Sequence, residues 1–284
     1  MKHLLDWLAL AASMVSLSSN AIAQDYPYPP YVEGRMDPQT TGWPLTPEER
    51  AYVVEKPEHD RRPGRESNKH LPHWWPVIPC AGYFGGDSWL KLHEGHVKTV
   101  QANPGPVDVL LVGDSITIQW ADSWKRNFPD FKAINIGIGG DKTQNVLWRL
   151  DHGGVDGLEP KTILLMIGNN NMFFTPETGV EAAAKGIQMC VKNLRDKFPK
   201  AAIIVAKILP AQGPGNRFYD DILKTNAALD SLNLTSDPAV ELLDLTSDFI
   251  QADGSLKKEL FTEDKIHLSP AGYDAYARRL KQRL

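Results

Sequence analysis

Four short polar segments of this 284-residue chain carry residue types that could act together in catalysis. They are residues 113–115 (Gly-Asp-Ser), 137–141 (Gly-Ile-Gly-Gly-Asp), 168–171 (Gly-Asn-Asn-Asn) and 264–267 (Asp-Lys-Ile-His). The first three directly follow apolar runs that read as buried strands. In an open parallel sheet, ligands bind beyond the carboxyl ends of the strands. We therefore expect the four segments to meet at one edge of a single sheet.

A serine, a histidine and an aspartate in these segments could form a nucleophilic system. The hydroxyl of Ser115 is a weak nucleophile unless a neighbouring base accepts its proton. His267 has an ordinary pKa close to neutrality and can be that base. Asp264 precedes it by three residues, so it can orient the imidazole and stabilise the protonated ring. The Gly-x-Ser-x-Gly turn of α/β-hydrolases is absent around Ser115. The residues therefore predict a serine esterase without that turn.

Attack on an ester carbonyl creates a negatively charged oxygen, which needs preorganised hydrogen-bond donors. Three candidates for this oxyanion hole are the backbone N–H groups of Ser115 and Gly140 and the side-chain amide of Asn170. Glycine at position 140 lets the backbone approach a substrate without a Cβ between them. Each segment taken singly is a common turn or loop sequence. Their expected meeting at one sheet edge is what favours an acyl-transfer site.

From residue 107 onward, short apolar runs alternate with segments of helical periodicity. The predicted strands are residues 107–112, 132–136, 162–167, 201–206 and 240–243. The clearest helix is residues 176–198, where apolar residues recur on one face, and a terminal helix begins around Pro270. Buried strands joined by helices form a parallel sheet covered on both sides. The sequence therefore predicts an α/β fold, a three-layer α/β/α sandwich with a central, mainly parallel sheet of about five strands.

The chain divides into three predicted parts. Residues 1–23 combine a basic start, an apolar run and an Ala-Ile-Ala ending, which predict a signal peptide and export to the periplasm or the extracellular space. Residues 24–105 are rich in proline and aromatic residues, and we expect an extended segment packed on the body, with short helices at 45–54 and 89–100. Residues 106–284 form the expected catalytic domain. No later run reaches the roughly 18 apolar residues of a membrane span.

Charge and composition exclude several partners and cofactors. With 31 basic and 35 acidic residues, the formal charge is −4, which gives no electrostatic footprint for nucleic acid. No glycine-rich phosphate loop is present, and His93 and His96 lack the spacing of a two-histidine zinc signature, so we expect them to be solvated. We predict neither a cofactor nor a metal. In an oxidising compartment, Cys80 and Cys190 could pair, or both could be buried free thiols.

The four segments together resemble the blocks of the GDSL, or SGNH, hydrolase family, which carry Ser, Gly, Asn and His in that order. The resemblance implies that Ser115 is the nucleophile and that Gly140 and Asn170 belong to the oxyanion hole. It further implies that His267 is the base, that Asp264 is its carboxylate partner, and that the fold is a flavodoxin-like sandwich. Residues 135–150 are similar to the branch of platelet-activating-factor acetylhydrolase catalytic subunits. Asn171 stands where many members have Asp, although that branch also carries Asn.

Three functions follow as hypotheses. The first is an exported serine esterase that removes short acyl groups, acetyl above all, from carbohydrates or similar polar esters. The second is a lipid or lysophospholipid acylhydrolase, and the third is a noncatalytic binding protein on an esterase scaffold. The expected partner is the substrate, a small-molecule or glycan ester. We further expect Asn145, Leu147 and Trp148, in the helix after the second segment, to shorten the acyl pocket.

Overall fold

The computed structural model of this chain describes residues 87–174 and 179–284. The predicted signal peptide at 1–23, the helix at 45–54 and most of the extension at 24–105 lie outside the described residues and stay predictions.

Strands and helices alternate along the described residues, as the sequence predicts. The strands are β1 (Gly105–Gly113), β2 (Ala133–Asn135), β3 (Leu158–Met166), β4 (Ala202–Ala206) and β5 (Val240–Leu243). The helices are α1 (Asp87–Ala102), α2 (Ser115–Ile118), α3 (Ala121–Asn127), α4 (Thr143–Asp151), α5 (Asn169–Phe174), α6 (Val180–Lys197), α7 (Arg217–Ser231), α8 (Thr246–Phe249) and α9 (Pro270–Leu280). Short 3₁₀ helices occupy Leu234–Ser236 and Lys258–Leu260.

Within the described residues, the strands form one five-stranded sheet in the order β2-β1-β3-β4-β5, and every neighbouring pair is parallel. Residues 109–112 of the interior strand β1 are at most 1% exposed, as expected for strands covered on both faces. This confirms the predicted α/β fold with a parallel sheet of five strands.

Strand β3 begins earlier than predicted, because Pro160 is compatible with its position in the sheet. Proline lacks an N–H and is normally excluded from central strands. Here β3 pairs with β1 from Leu158 onward but with β4 only from Thr162 onward. Pro160 therefore lies in the part of β3 that has a neighbour on one side only.

Helices cover both faces of the sheet. On one face, Val109, Leu111 and Leu164 pack in an apolar cluster with Trp124 of α3 and Tyr276 of α9. On the other face, α6 contacts α4, α7 and β4. Alternate residues of a strand point to opposite faces, so the buried runs in β1 and β3 supply both layers. The polar segments after the strands are left at the edge.

The helix boundaries follow local backbone chemistry. Helix α9 begins at Pro270 as predicted, with the Ser269 hydroxyl accepting a hydrogen bond from the N–H of Gly272 at 3.1 Å. The helix predicted at 176–198 is α6, and its start was predicted too early. Gly179 immediately precedes α6 with φ of 85°, a left-handed conformation that a right-handed helix cannot include.

Among the helices described above, none combines the length and apolarity that crossing a bilayer requires. Cys190 on α6 is a buried free thiol, and burial raises its pKa above the usual range. Of the two alternatives for the cysteines, the structure therefore shows the free thiol for Cys190, while Cys80 lies outside the described residues.

Candidate active site

Ser115 lies at the turn between β1 and α2, at the carboxyl edge of the sheet. Asp114 caps α2, and its Oδ1 accepts a hydrogen bond from a backbone N–H of the first turn at 3.0 Å. The turn requires glycine at position 113, because a Cβ there would lie 2.1 Å from Thr117 Oγ1 and 2.2 Å from the carbonyl oxygen of Met166. Ser115 is thus the first residue of a helix, where backbone N–H groups have no partner within the helix.

The structure joins Ser115, His267 and Asp264 in one hydrogen-bonded chain, as the sequence predicts. His267 Nε2 lies 2.8 Å from Ser115 Oγ, and His267 Nδ1 lies 2.6 Å from Asp264 Oδ2. Asp264 Oδ1 accepts hydrogen bonds from the backbone N–H groups of Ile266 (2.9 Å) and His267 (3.0 Å) and from the Thr262 hydroxyl (2.7 Å). Both carboxylate oxygens are therefore occupied, and the carboxylate plane is fixed.

Gln212 holds the loop that carries Asp264 and His267, a role that no sequence pattern indicated. The Gln212 side chain donates to the carbonyl oxygen of Asp264 at 2.7 Å, and its backbone N–H donates to that of Lys265 at 3.0 Å. Gln212 and Lys265 have φ of 66° and 57°. This conformation costs roughly 1–2 kcal/mol per residue outside glycine. The two hydrogen bonds offset that cost and fix the loop.

The loop after β2 lies directly beside the nucleophile. A Cβ built at Gly139 would be 3.8 Å from the Cβ of Ser115, and Gly140 has φ of 82°, which favours glycine. Asn135 braces the loop, because its Oδ1 accepts from the N–H of Gly137 at 2.9 Å and its Nδ2 donates to a backbone carbonyl of α2 at 2.7 Å. The loop that carries Gly140, the predicted oxyanion glycine, therefore lies next to Ser115 at the carboxyl edge of the sheet.

Asn170, the third predicted oxyanion donor, lies at the start of α5. Its Nδ2 donates to the carbonyl oxygen of Asp141 at 2.8 Å and lies 3.4 Å from Asp114 Oδ2. The amide is therefore held between the loop after β2 and the residue that precedes Ser115. Asn170 is thus brought next to the two segments that carry the other two predicted donors.

Asn171 has a structural role that accounts for an amide at this position. Its side chain is fully buried, its Oδ1 accepts from the N–H of Thr143 at 3.1 Å, and its Nδ2 donates to Gln144 Oε1 at 3.2 Å. A carboxylate could accept the first hydrogen bond but could not donate the second. Asn171 thereby anchors the start of α4 to α5.

Comparison with known proteins identifies the family. Residues 111–275 match the model of the GDSL-like lipase/acylhydrolase family. This chain belongs to that family. The platelet-activating factor acetylhydrolase IB subunit alpha2 of Homo sapiens is 34% identical over 192 residues, which are 66% of this chain and 80% of that protein. The predicted resemblance is confirmed, and the chain is a hydrolase of a family that acts on esters.

Solved structures of other family members share the fold of this GDSL hydrolase. A GDSL-like lipase from Bacteroides thetaiotaomicron matches with a TM-score of 0.57 at 18% identity, over 67% of this chain and 96% of that one. An acetylxylan esterase from Geobacillus stearothermophilus matches with a TM-score of 0.50 at 15% identity, over 62% of this chain and 93% of that one. At these identities the likeness concerns the fold.

The ionisable groups of this GDSL hydrolase have shifted pKa values. Burial would lower the pKa of His267, but the hydrogen bond and charge of Asp264 outweigh it and raise that pKa above 6.5. Burial would likewise raise the pKa of Asp264, yet hydrogen bonds from the His267 ring and from the loop hold it well below its usual range. Burial raises the pKa of Asp114 to about 7, although its hydrogen bond from α2 opposes the shift. A neutral His267 next to an ionised Asp264 suits a general base.

The activity should rise with pH through the pKa of His267, because only the neutral ring can accept the Ser115 proton. Since that pKa is raised, the midpoint of the ascending limb of kcat/KM should lie above 6.5. Asp114 titrates in the same region, so Asp114→Asn is the control. Its charge also raises the pKa of His267, so the limb should persist in the variant with a lower midpoint. If the ascending limb of kcat/KM disappeared in Asp114→Asn, the titrating group would be Asp114 and not His267.

Replacing Asn170 by alanine should lower kcat by roughly 10²–10³ with little change in KM, the usual loss for one oxyanion donor. Steady-state kinetics on p-nitrophenyl acetate measure both constants, and Asn103→Ala, at the exposed residue that follows α1, is the matched control. An effect confined to KM would mean that Asn170 binds substrate and does not stabilise the transition state.

Sequence reasoning missed a buried charge pair beside the site. Arg149 and Asp141 are each 1% exposed and form a salt bridge of 2.7 Å. A signal was present, because Arg149 follows the buried Val146 by three residues and so shares its helix face. An arginine on the apolar face of a helix indicates a buried partner.

Helix α4, which follows the second polar segment, does not shorten the acyl pocket as we expected. Asn145 Oδ1 accepts from the N–H of Lys142 at 2.9 Å at the start of α4, and Leu147 is fully buried. The Trp148 ring stacks on His152 with centroids 3.8 Å apart. These side chains serve the packing of α4 and do not shorten an acyl pocket.

His93 and His96 are not the solvated residues that we expected. His93 is 5% exposed, and its Nε2 lies 3.0 Å from the carbonyl oxygen of His152. Burial, and then the charge of Arg149, lowers the pKa of both histidines to about 4. The reason is that the face of α1 that carries these histidines packs against α4, where the ring of His93 contacts that of Trp148. Over residues 87–174 and 179–284, no cluster of three or more His, Cys, Asp or Glu side chains could hold a metal.

Proposed function

We propose that this chain is an exported serine esterase that hydrolyses short-chain esters, acetyl esters of carbohydrates above all, through a Ser115–His267–Asp264 triad. The observation that carries the proposal is the 2.8 Å contact between Ser115 Oγ and His267 Nε2 at the carboxyl edge of the sheet. It supports a nucleophilic hydroxyl whose base already lies within hydrogen-bond distance.

In the proposed reaction, His267 Nε2 accepts the hydroxyl proton as Ser115 Oγ attacks the ester carbonyl carbon. The carbonyl oxygen becomes an oxyanion, which accepts hydrogen bonds from the N–H groups of Ser115 and Gly140 and from Asn170. The bond to the alcohol oxygen then breaks, and that oxygen takes the proton from His267. Water, deprotonated by His267, then attacks the acyl carbon, and the bond from that carbon to Ser115 Oγ breaks. Ser115 Oγ takes the proton back from His267, and the carboxylic acid is released. Asp264 keeps Nδ1 protonated throughout.

Tight packing behind the turn that carries Ser115 supports a short acyl group. The space there, lined by the neighbouring residues Asp114 and Ile116 and by Met166 and Ile208, among others, leaves no room for a water molecule. Ile116 and Met166 are 2% and 5% exposed. A longer acyl chain pointing towards the sheet would have to displace core side chains. That costs more than the roughly 1–3 kcal/mol per methylene of ordinary hydrophobic selection.

A pocket next to the histidine loop supports a polar alcohol part. It has a volume of about 400 Å³, within the range of small-molecule sites. Its lining combines the polar and charged residues Gln212, Ser255, Lys258, Thr262, Glu263 and Lys265 with the apolar Pro214, Leu256 and Phe261. The hydrogen-bonding side chains match the hydroxyl groups of a carbohydrate, whereas the apolar ones also suit a lipid. The pocket supports the carbohydrate ester through its polar groups alone.

The second candidate is an acylhydrolase of lipids or lysophospholipids. The 34% identity to a relative named platelet-activating factor acetylhydrolase favours it. So does Phe173 on α5, which is 51% exposed three residues after Asn170 and offers an apolar surface near the site. Both candidates use the same triad, so the substrate panel below decides between them.

Export rests on residues 1–23 of the sequence. The proposal predicts that the protein recovered from the periplasm or the medium begins at Gln24. An intact N-terminus on the recovered protein would contradict cleavage at this position.

A hydrolysis panel with the purified mature protein tests the substrate. Since the core packed behind Asp114 and Ile116 offers no space to a longer chain, activity should fall from p-nitrophenyl acetate to butyrate and again to octanoate. Acetylated xylan should be cleaved faster than a short-chain phospholipid. The Ser115→Ala variant supplies the blank for each substrate. Faster cleavage of octanoate than of acetate, at matched subsaturating concentrations, would replace the carbohydrate candidate by the lipid candidate.

A further inference from the structure

Helix α1 reaches the active-site edge from outside the part of the chain that matches the family model, which begins at residue 111. Its residue Trp89 is 1% exposed, and the indole Nε1 donates a hydrogen bond of 2.6 Å to Asp141 Oδ1. The ring is fixed by stacking on His93 and by a tilted contact with Trp148, with centroids 5.9 and 5.5 Å away. The donor is therefore held in one orientation.

Arg149 completes the surroundings of the Asp141 carboxylate. Its Nε donates to Asp141 Oδ2 at 2.8 Å. Its Nη1 donates to the carbonyl oxygen of Ile136 at 2.6 Å, and its Nη2 lies 3.4 Å from that of Gly113. The two carbonyls belong to the chain just beyond β2 and to the last residue of β1. Arg149 thus ties Asp141 to the strand ends that carry the oxyanion loop and the nucleophile.

The backbone of Asp141 leads directly to the predicted oxyanion donors. Its peptide bond joins it to Gly140, whose N–H is one donor, and its carbonyl oxygen accepts the hydrogen bond of Asn170 Nδ2 at 2.8 Å. A displacement of Asp141 would therefore move both donors. A buried carboxylate that loses a hydrogen-bond partner pays the desolvation cost of the unpaired oxygen, which favours such a displacement.

We propose that Trp89 is a positioning residue for the oxyanion hole and acts through the Asp141 carboxylate on Gly140 and Asn170. This proposal rests on the proposed serine esterase mechanism and adds a residue to it. Burial raises the pKa of Asp141, and the charge of Arg149 and the hydrogen bond from Trp89 oppose that rise. The indole N–H therefore also helps to keep the carboxylate ionised and paired with Arg149.

The test is a double-mutant cycle between Trp89→Phe and Asn170→Ala. Trp89→Phe keeps an aromatic ring and removes the N–H. On p-nitrophenyl acetate, kcat should fall roughly 10- to 100-fold with KM little changed, the scale of a small misplacement of catalytic groups. In the Asn170→Ala background one of the two donors that Asp141 positions is already lost and only Gly140 can still be displaced, so Trp89→Phe should lower kcat by a clearly smaller factor than in the wild type.

Trp124→Phe is the matched control. Trp124 is 6% exposed on the opposite face of the sheet, and within the described residues its indole N–H has no hydrogen-bond partner. It should lower the melting temperature without a comparable loss of kcat. Equal losses of kcat in Trp89→Phe and Trp124→Phe, or a Trp89→Phe effect that is the same with and without Asn170, would overturn the proposal.

If Trp89→Phe does not fold, Asp141→Asn is the second variant, since it keeps the side-chain size. It should lower kcat and show the same coupling to Asn170→Ala, whereas independent losses would overturn the proposal. The outcome is separable from the proposed function. An active Ser115→Ala variant would defeat the esterase mechanism itself, while independent effects of Trp89 and Asn170 would defeat only the positioning role.

Discussion

The Ser115→Ala variant is expected to lose hydrolysis of p-nitrophenyl acetate by roughly 10⁴- to 10⁶-fold, the scale found when a serine nucleophile is removed. The reason is that no other atom can form the acyl-enzyme, while His267 keeps its place through Asp264. The fold should be unchanged, because Asp114 caps α2. Steady-state rates and thermal melting measure the two effects.

A matched serine substitution controls for the change in side chain. Ser231 lies on the exposed surface of α7, where its hydroxyl donates only to a carbonyl of its own helix, so Ser231→Ala should keep wild-type turnover. Wild-type-like turnover of Ser115→Ala, prepared in parallel from a host without contaminating esterase, would move the nucleophile elsewhere.

Asp264→Asn is expected to lower kcat by roughly 10³- to 10⁴-fold, the loss that follows when the histidine is held in the wrong tautomer. The surroundings of this carboxylate determine how the new amide lies. Oδ1 accepts hydrogen bonds from two backbone N–H groups and the Thr262 hydroxyl, so the amide oxygen must occupy that side. The NH₂ group then faces His267 Nδ1 and donates to it. The proton moves to Nε2, which can no longer accept the proton of Ser115.

Asp253→Asn tests whether the loss comes from His267 and not from the loop. Asp253 accepts hydrogen bonds from the backbone N–H and hydroxyl of Ser255 in an exposed turn, so it resembles Asp264 in its local bonds but has no histidine partner. It should retain full activity. If Asp264→Asn stayed within about tenfold of the wild type, His267 would be oriented by another group and the triad would be incomplete.

Much of the fold and of the site follows from patterns that are local in the sequence. The apolar run at 107–112 predicts a buried strand from residue type alone, and Ser115 directly after it must lie at the strand end. The segment 264–267 contains both the base, His267, and the carboxylate that orients it, Asp264, so the hydrogen bond between them is local too. The meeting of these segments then follows from the parallel order of the strands.

The remaining features depend on contacts between distant residues, which no local pattern contains. Trp89 and Asp141 are 52 residues apart, and Gln212 lies as far from Asp264. Their side chains meet only because α1 and the loop after β4 pack where they do. The interpretation of Trp148 failed for the same reason, since its packing against α1 could not be read from its own helix.

Covalent labelling tests the central claim, that Ser115 is the nucleophile, most directly. The purified protein is treated with a fluorophosphonate ester, which reacts with activated serine hydroxyls, and the modified residue is located by peptide mass spectrometry. We expect a single adduct on Ser115, slower labelling in Asp264→Asn and no labelling in Ser115→Ala. An adduct on another residue, in a preparation that hydrolyses p-nitrophenyl acetate, would contradict it.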